Sequence, residues 1–254
     1  MISRLRDYLM VILVLGLVWQ LFAFWLQEPL LPSPSEVLNL LWAEVSRGNL
    51  LHHLLVTLRR VVIAFVFAML FGILLGWCMG RHRQSNRWLD PVLVLLLNLP
   101  ALVLIILLYV WMGLVESAAV LAVILNKVPN VAVTIREGAR SLDPQLEQMA
   151  QAYHFSLSQR VFDLWLPQLF PYLMGAMRSG LALIWKIVLV VELLGRSDGI
   201  GFQLHLAFQM FDVAMILAYS FSFILVVQLI EWTLLQPLER RARRWQGEGA
   251  RCHA

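Results

Sequence analysis

Side chains able to do chemistry are few in this sequence, and they are not spaced to act together. Six histidines are spread along 254 residues. His52 and His53 are adjacent, so on a helix they point apart, whereas two zinc ligands on one helix face sit four residues apart. His82, His205 and His253 fall in three separate segments, and no metal site is expected. Neither a Ser-His-Asp set nor a carboxylate pair can be assembled from local spacing. Cys78 lies inside an apolar run and Cys252 near the C-terminus, so no disulfide framework is indicated. The GIG at 199–201 marks a turn and is too short for a dinucleotide fingerprint. No G-x-x-x-x-G-K-S/T phosphate loop occurs, so this chain is not expected to hydrolyse a nucleotide.

Charge set inside apolar sequence is the remaining candidate chemistry. Such a charge costs about 2.5–3.5 kcal/mol on insertion scales and points to function by default. Lys186 follows Trp185 in the middle of an apolar stretch and could offer a positive site to an anionic solute. Snorkelling to an interface, or pairing with a carboxylate, are the structural alternatives for it. Glu192 and Arg196 are four apart with the acid first, the favourable order for a local helical ion pair. Arg178 is expected to make a packing or interfacial contact, and Lys127 with Pro129 interrupts another apolar stretch. Asn98 and Pro100 are candidates to line a pathway through a kinked helix, because Pro100 cannot donate to the carbonyl one turn earlier.

The elements that must position these groups are membrane helices. Hydrophobic residues make up 60% and charged residues 14% of the chain, against about 45–50% and about 25% in soluble domains. Residues 8–27, 61–80, 91–115 and 213–230 contain no Asp, Glu, Lys or Arg. Each is close to or above the ~18–20 residues that span a ~30 Å hydrocarbon core. The spacing predicts an all-α protein of about six spans at 8–27, 60–80, 89–114, 117–136, 165–194 and 212–235. The first is read as a retained helix, since no small-residue cleavage site follows it. Asp90-Pro91 reads as a cap and first-turn proline for the third span.

Basic residues orient the chain. With the N-terminus inside, inner segments carry 13 of the 20 Lys and Arg and outer segments only 4, which places both termini in the cytoplasm. Three regions follow: 1–59, with the first span and an outer amphipathic segment; a core at 60–237; and a basic tail at 238–254. The tail, with Glu239-Arg240-Arg241-Ala242-Arg243-Arg244-Trp245, reads as an anchor on anionic lipid and not as a nucleic-acid site. In the outer segment Ser35 is the expected helix cap, with Val37, Leu38, Leu41, Trp42 and Val45 on one face. A second outer stretch, 195–212, opens on the turn RSDGIG.

The inner loop, 136–166, is organised for a partner. Asp143-Pro144 caps and starts a short helix. Ser156 with Gln159 has the form of a capping box and starts a second. The bend between them falls near His154-Phe155. Periodicity alone leaves open whether the pair meets a partner or lies on the headgroups.

This segment resembles the EAA loop of permease subunits from ABC importers: E-A-A, three residues, G, nine residues, I, one residue, L-P. Anchored on Leu166-Pro167, the acid position falls on Gln148, the last alanine on Ala150, the glycine on His154 and the isoleucine on Leu164. Gln148, Met149 and His154 depart from the pattern. Further stretches are similar to the nitrate, sulfonate and taurine branch of that family: LPSPSEV after the first span, TLRRVVIAF and GILLGWCMG in the second, LDPVLVLLLNLP in the third, MRSGLALIW with VVELL and GIGF around the fifth, and the closing LERRARRW. Together they cover most of the chain. The resemblance implies a type I ABC importer permease with a MetI-like core in the bacterial cytoplasmic membrane. It implies a permease homodimer, a separate ATPase that binds ATP and Mg, and an extracytoplasmic solute-binding protein. Ala150, Tyr153, His154, Phe155 and Ser156 are then the expected ATPase-coupling surface. Asn98, Pro100 and Lys186 are the pathway candidates for a small anion. The branch also includes importers of vitamin-like precursors. A secondary transporter would show two similar halves with buried carboxylates, but only Glu192 lies deep in a span and no half-repeat is evident.

Overall fold

Helices account for nearly all of the described residues, which include no strand. The computed structural model describes residues 2–26, 28, 30–235 and 237; the basic tail expected at 238–254 lies outside them. In order the helices are α1 (Ile2–Leu26), α2 (Pro34–Arg47), α3 (Asn49–Arg81), α4 (Arg83–Asn98), α5 (Ala101–Met112), α6 (Glu116–Arg140), α7 (Pro144–Ala152) and α8 (Leu157–Gln159). A π turn, Arg160–Trp165, carries the chain from α8 into α9 (Leu166–Gly195). There follow α10 (Ile200–Gln209), α11 (Val213–Ile230) and a second π turn, Glu231–Leu235.

Among the described residues, length and composition qualify three helices to cross a membrane, Asn49–Arg81, Glu116–Arg140 and Val213–Thr233, or four if the bent pair α4 and α5 is one span. The other two expected spans correspond to α1, whose apolar part is Leu13–Leu26, and to the 30-residue α9, which carries Arg178, Lys186 and Glu192. Helix α3 shows the membrane pattern clearly. Val62, Val66, Phe67, Leu70, Phe71 and Leu74 are exposed, while Val61, Ala64 and Ala68 are buried. Large apolar side chains facing outward and small ones facing inward is the arrangement that lipid favours.

The chain divides into two compact units, Met1–Thr57 with Glu192–Gln228, and Leu58–Val191 with Leu229–Ala254. In the second, Gly72, Gly76 and Gly80 line up at four-residue spacing on α3. Cβ atoms at these positions would stand 2.5 Å from Val131 Cβ, Ala132 O and Ala139 Cβ respectively. The two backbones therefore touch over more than two turns, a packing open only to glycine. Met69, Val131, Ile135 and Ala176 fill the adjoining core with Phe65, Tyr172 and Leu173 around them. At one end Arg60 is buried, and its Nε and Nη2 donate to Glu116 Oε1 at 2.9 Å and Oε2 at 2.8 Å. At the other, Arg136 pairs with Asp90 and, at 3.0 Å, with Glu137.

Three local expectations need correction. Helix α4 begins after His82, not at Asp90, and Pro91 lies inside it; Asp90 is the partner of Arg136, not a cap. The Asn98–Pro100 kink is a full break. Leu99 and Pro100 are both extended (ψ 122° and 131°), and α4 and α5 meet at 99°, since a residue before proline avoids helical geometry. Ser33 and not Ser35 caps α2, in a capping box with Glu36 and with Pro34 in the first turn. Val37 of α2 is buried as expected, but Leu38 and Trp42 are exposed and Glu44 is buried, so the buried face takes only part of the apolar stripe. Tyr219 Oη donates to Glu44 at 2.9 Å, which satisfies the carboxylate there.

Candidate functional site

The loop between α6 and α9 is built by local hydrogen bonds that its sequence encodes. Asp143 Oδ1 accepts from Gln145 N at 2.8 Å and starts α7, with Pro144 in the first turn. Gln168 Oε1 accepts from Asp143 N at 2.9 Å and ties that start to α9. Helix α7 ends in a Schellman motif. Phe155 N donates to Ala150 O at 2.9 Å and His154 N to Gln151 O at 3.1 Å. This termination needs a left-handed residue at the turn, and His154 supplies it with φ 51°. The family pattern's glycine falls here for that reason, and histidine accepts the conformation at some backbone cost. Ser156 then opens α8: its Oγ accepts from Gln159 N, and Gln159 Oε1 accepts from Ser156 N at 2.8 Å.

The five residues expected to form one surface do not all reach it. Ala150 is fully buried (0% exposed), because a small side chain on the inner face lets α7 pack closely. Phe155 is half-buried, while Tyr153, His154 and Ser156 are exposed. Two apolar side chains join Tyr153 (74% exposed) that sequence reasoning passed over, Leu157 at 75% and Phe162 at 66%. Their signal was available, since apolar residues flanking a capped bend outside the spans have no lipid to face. The result is a short, stiff knob with an aromatic and aliphatic tip. Such a knob can dock into a cleft and transmit motion.

The pathway candidates lie elsewhere in the same unit. Asn98 is exposed at the end of α4 with Nδ2 donating to Val94 O at 2.7 Å, and Pro100 is exposed at the break. Lys186 is exposed on α9, between buried Trp185 and Ile187. Lys127 behaves differently, being 2% exposed on α6. Its stem lies against Gly180 of α9, where a Cβ would come 3.2 Å from Lys127 Cε. Arg178 pairs at 3.8 Å with Glu231.

A second polar centre occupies the first unit. Glu192 is wholly buried and accepts from Thr57 Oγ1 and Gly201 N, both at 2.9 Å. Thr57 Oγ1 also accepts from Ile200 N at 2.9 Å, and Gly199 N donates to His53 Nδ1 at 3.1 Å. Gly199, at φ 104°, sits so close to the Glu192 carboxylate that any Cβ would collide with it. Glu192 thus holds the GIG turn and the start of α10 by hydrogen bonds, a role that helical spacing to Arg196 did not suggest.

Comparisons with known proteins agree with this architecture. The model of the family described as binding-protein-dependent transport system inner membrane component matches residues 68–235. A candidate aliphatic sulfonates transport permease of Escherichia coli (strain K12) is 31% identical over 230 residues, 90% of this chain and 87% of the relative. The taurine transport system permease of the same organism is 30% identical over 236 residues, 91% of this chain and 86% of the relative. The nitrate import permease of Synechococcus elongatus is 22% identical, covering 78% and 76%. Among solved structures, a chain of an amino acid ABC transporter shares the fold with a TM-score of 0.62 at 18% identity, covering 79% of this chain and 97% of that chain. A chain of the inward-facing MetNI methionine ABC transporter gives 0.60 at 16%, covering 74% and 92%. A family match from within α3 through α11 and relatives aligned over nine-tenths of the chain establish that this is a multi-pass membrane permease of the ABC importer type, a member of the binding-protein-dependent transport system inner membrane component family.

Proposed function

We propose that this permease pairs with a second copy to form the pathway for a small anion, of the sulfonate, taurine or nitrate kind, across a bacterial cytoplasmic membrane. An extracytoplasmic binding protein delivers the solute. A separate ATPase subunit, which holds the ATP and Mg, drives the cycle from the cytoplasmic side, where both termini lie. The observation that carries the reading is the knob at 153–162. It is a rigid bend, capped on both sides, with Tyr153, Leu157 and Phe162 exposed at its tip. Docked in an ATPase cleft, Tyr153, His154, Phe155 and Ser156 with Leu157 and Phe162 move with that subunit and pass the motion to α9. Ala150 supports the knob from beneath. Lys186, Asn98 and Pro100 are assigned to the pathway wall, where the Lys186 ammonium meets the anionic cargo.

Cysteine cross-linking tests the docking. Leu157→Cys and Tyr153→Cys, in the assembled complex, should cross-link to the co-expressed ATPase. Trp111→Cys, equally exposed on α5, should not. Equal cross-linking of all three, or none from the knob, would remove the coupling assignment.

A further inference from the structure

Gln148 stands where the family pattern has its acid, which raises the question of what holds α7 in this chain. We infer that Glu147, one residue earlier, is the positioning residue that locks the coupling knob to the membrane helices. The inference rests on the coupling role proposed above and adds to it a specific mechanical link. Glu147 Oε2 accepts from Trp165 Nε1 at 2.8 Å, and its Oε1 lies 3.6 Å from Arg81 Nη2. The Arg81 guanidinium carbon sits 5.7 Å from the Trp77 ring centroid and 5.6 Å from that of Trp165. The two indoles are themselves 4.8 Å apart, tilted at 48°. One carboxylate therefore joins three elements: α7 through its own backbone, α3 through Arg81 and Trp77, and the entry to α9 through Trp165.

The π turn makes this junction possible. Trp165 is its last residue, and Leu166 N donates to Val161 O, five residues back. The turn absorbs one extra residue relative to an α-helix, so Trp165 is rotated by about 100° from where an uninterrupted helix would put it. That rotation brings the indole to Trp77 and Glu147. A cation within about 6 Å of two aromatic rings is attracted to both, and a charged acceptor strengthens the indole bond. Side-chain exposure of 34% for Arg81 and 17% for Glu147 leaves the junction half-shielded, where its bonds outlast those of a fully solvated pair. Gln148 is exposed and makes no such junction; it lines a groove of about 540 Å³ whose wall also includes Arg81, Arg140, Glu147 and Gln151. A push on the knob then reaches α3 and α9 together and is not lost in bending the loop.

The test uses the full chain assembled with its ATPase, with the binding protein purified carrying its own cargo as the stimulant. Glu147→Ala should reduce binding-protein stimulation of ATP hydrolysis at least tenfold while the complex still assembles. Glu147→Gln, which keeps the indole bond, should retain it within threefold, and Gln148→Ala within twofold. In parallel, amide exchange over residues 144–152 of the purified chain should rise at least tenfold in Glu147→Ala and stay unchanged in Gln148→Ala. Wild-type stimulation or wild-type exchange in Glu147→Ala would overturn the inference, as would a larger loss in Gln148→Ala. If the wild-type chain fails to assemble with the ATPase, the proposed function falls, and the exchange measurement still decides whether Glu147 holds α7.

Discussion

Replacing Gly76 with alanine should unseat α3 from α6, although the same change in an exposed helix is stabilising. The added Cβ would stand 2.5 Å from Ala132 O, 2.8 Å from Ile135 Cβ and 3.1 Å from Ala132 C. Two of those atoms belong to helix backbone and cannot rotate away. The helices must part by roughly 0.5–1 Å, and a gap of that size forfeits about a quarter to a half of each dispersion contact it opens. Overpacking costs about 1–3 kcal/mol, and a clash with fixed backbone atoms belongs in the upper part of that range, about 2–3 kcal/mol, against a helix-propensity gain of about 0.8–1.0 kcal/mol for alanine over glycine. The expected net loss is about 1–2 kcal/mol, a factor of about 5–30 in the folded to unfolded ratio. Gly175 provides the control, because nothing lies within 4 Å of a Cβ there, so Gly175→Ala should be neutral or stabilising. Reversible unfolding in mixed micelles titrated with SDS measures both. Equal stability of Gly76→Ala and wild type, or an equal loss in Gly175→Ala, would refute the close-packing argument.

Three further outcomes are expected. His154→Gly should relieve the left-handed backbone and stabilise the bend by about 1 kcal/mol with coupling intact, whereas His154→Asp with Phe155→Asp should leave ATP hydrolysis uncoupled from uptake; uptake and hydrolysis assays on the assembled complex distinguish them. Glu192→Ala should speed amide exchange at residues 199–203 by tenfold or more, since Gly201 N loses its acceptor and the buried Thr57 hydroxyl loses a partner; Glu192→Gln should have a smaller effect. Lys186→Met should weaken uptake of an anionic cargo while sparing co-purification with the ATPase, and wild-type uptake by that variant would take Lys186 out of the pathway.

What could be read in advance followed the range of the forces involved. The capped bend was legible because Asp143-Pro144 and Ser156 with Gln159 act within four residues, whereas the sequence left a gentler bend open at His154 and the left-handed φ came only with the structure. Helix existence was legible from apolar runs, but starts were not. Asp90-Pro91 imitates a cap, yet Asp90 is held by Arg136, 46 residues away. The Asn98–Pro100 break was read as a kink because only the hydrogen bond that Pro100 cannot donate was weighed, and not the extended bias that proline imposes on Leu99 before it. Small residues every four positions, at Gly72, Gly76 and Gly80, did announce a close helix contact and were passed over. The roles of Glu192 and Glu147 were out of reach. Each depends on partners brought in by tertiary packing, and Trp165 meets Glu147 only after a π turn has shifted the register.

The central claim is that this chain is the membrane half of an ATP-driven importer, and uptake in proteoliposomes tests it most directly. The permease is co-reconstituted with its ATPase, the binding protein is placed outside with labelled taurine or nitrate, and ATP is sealed inside. The account predicts accumulation that requires both internal ATP and the binding protein and is indifferent to proton and sodium ionophores. Accumulation without ATP that collapses when an ion gradient is dissipated would contradict it.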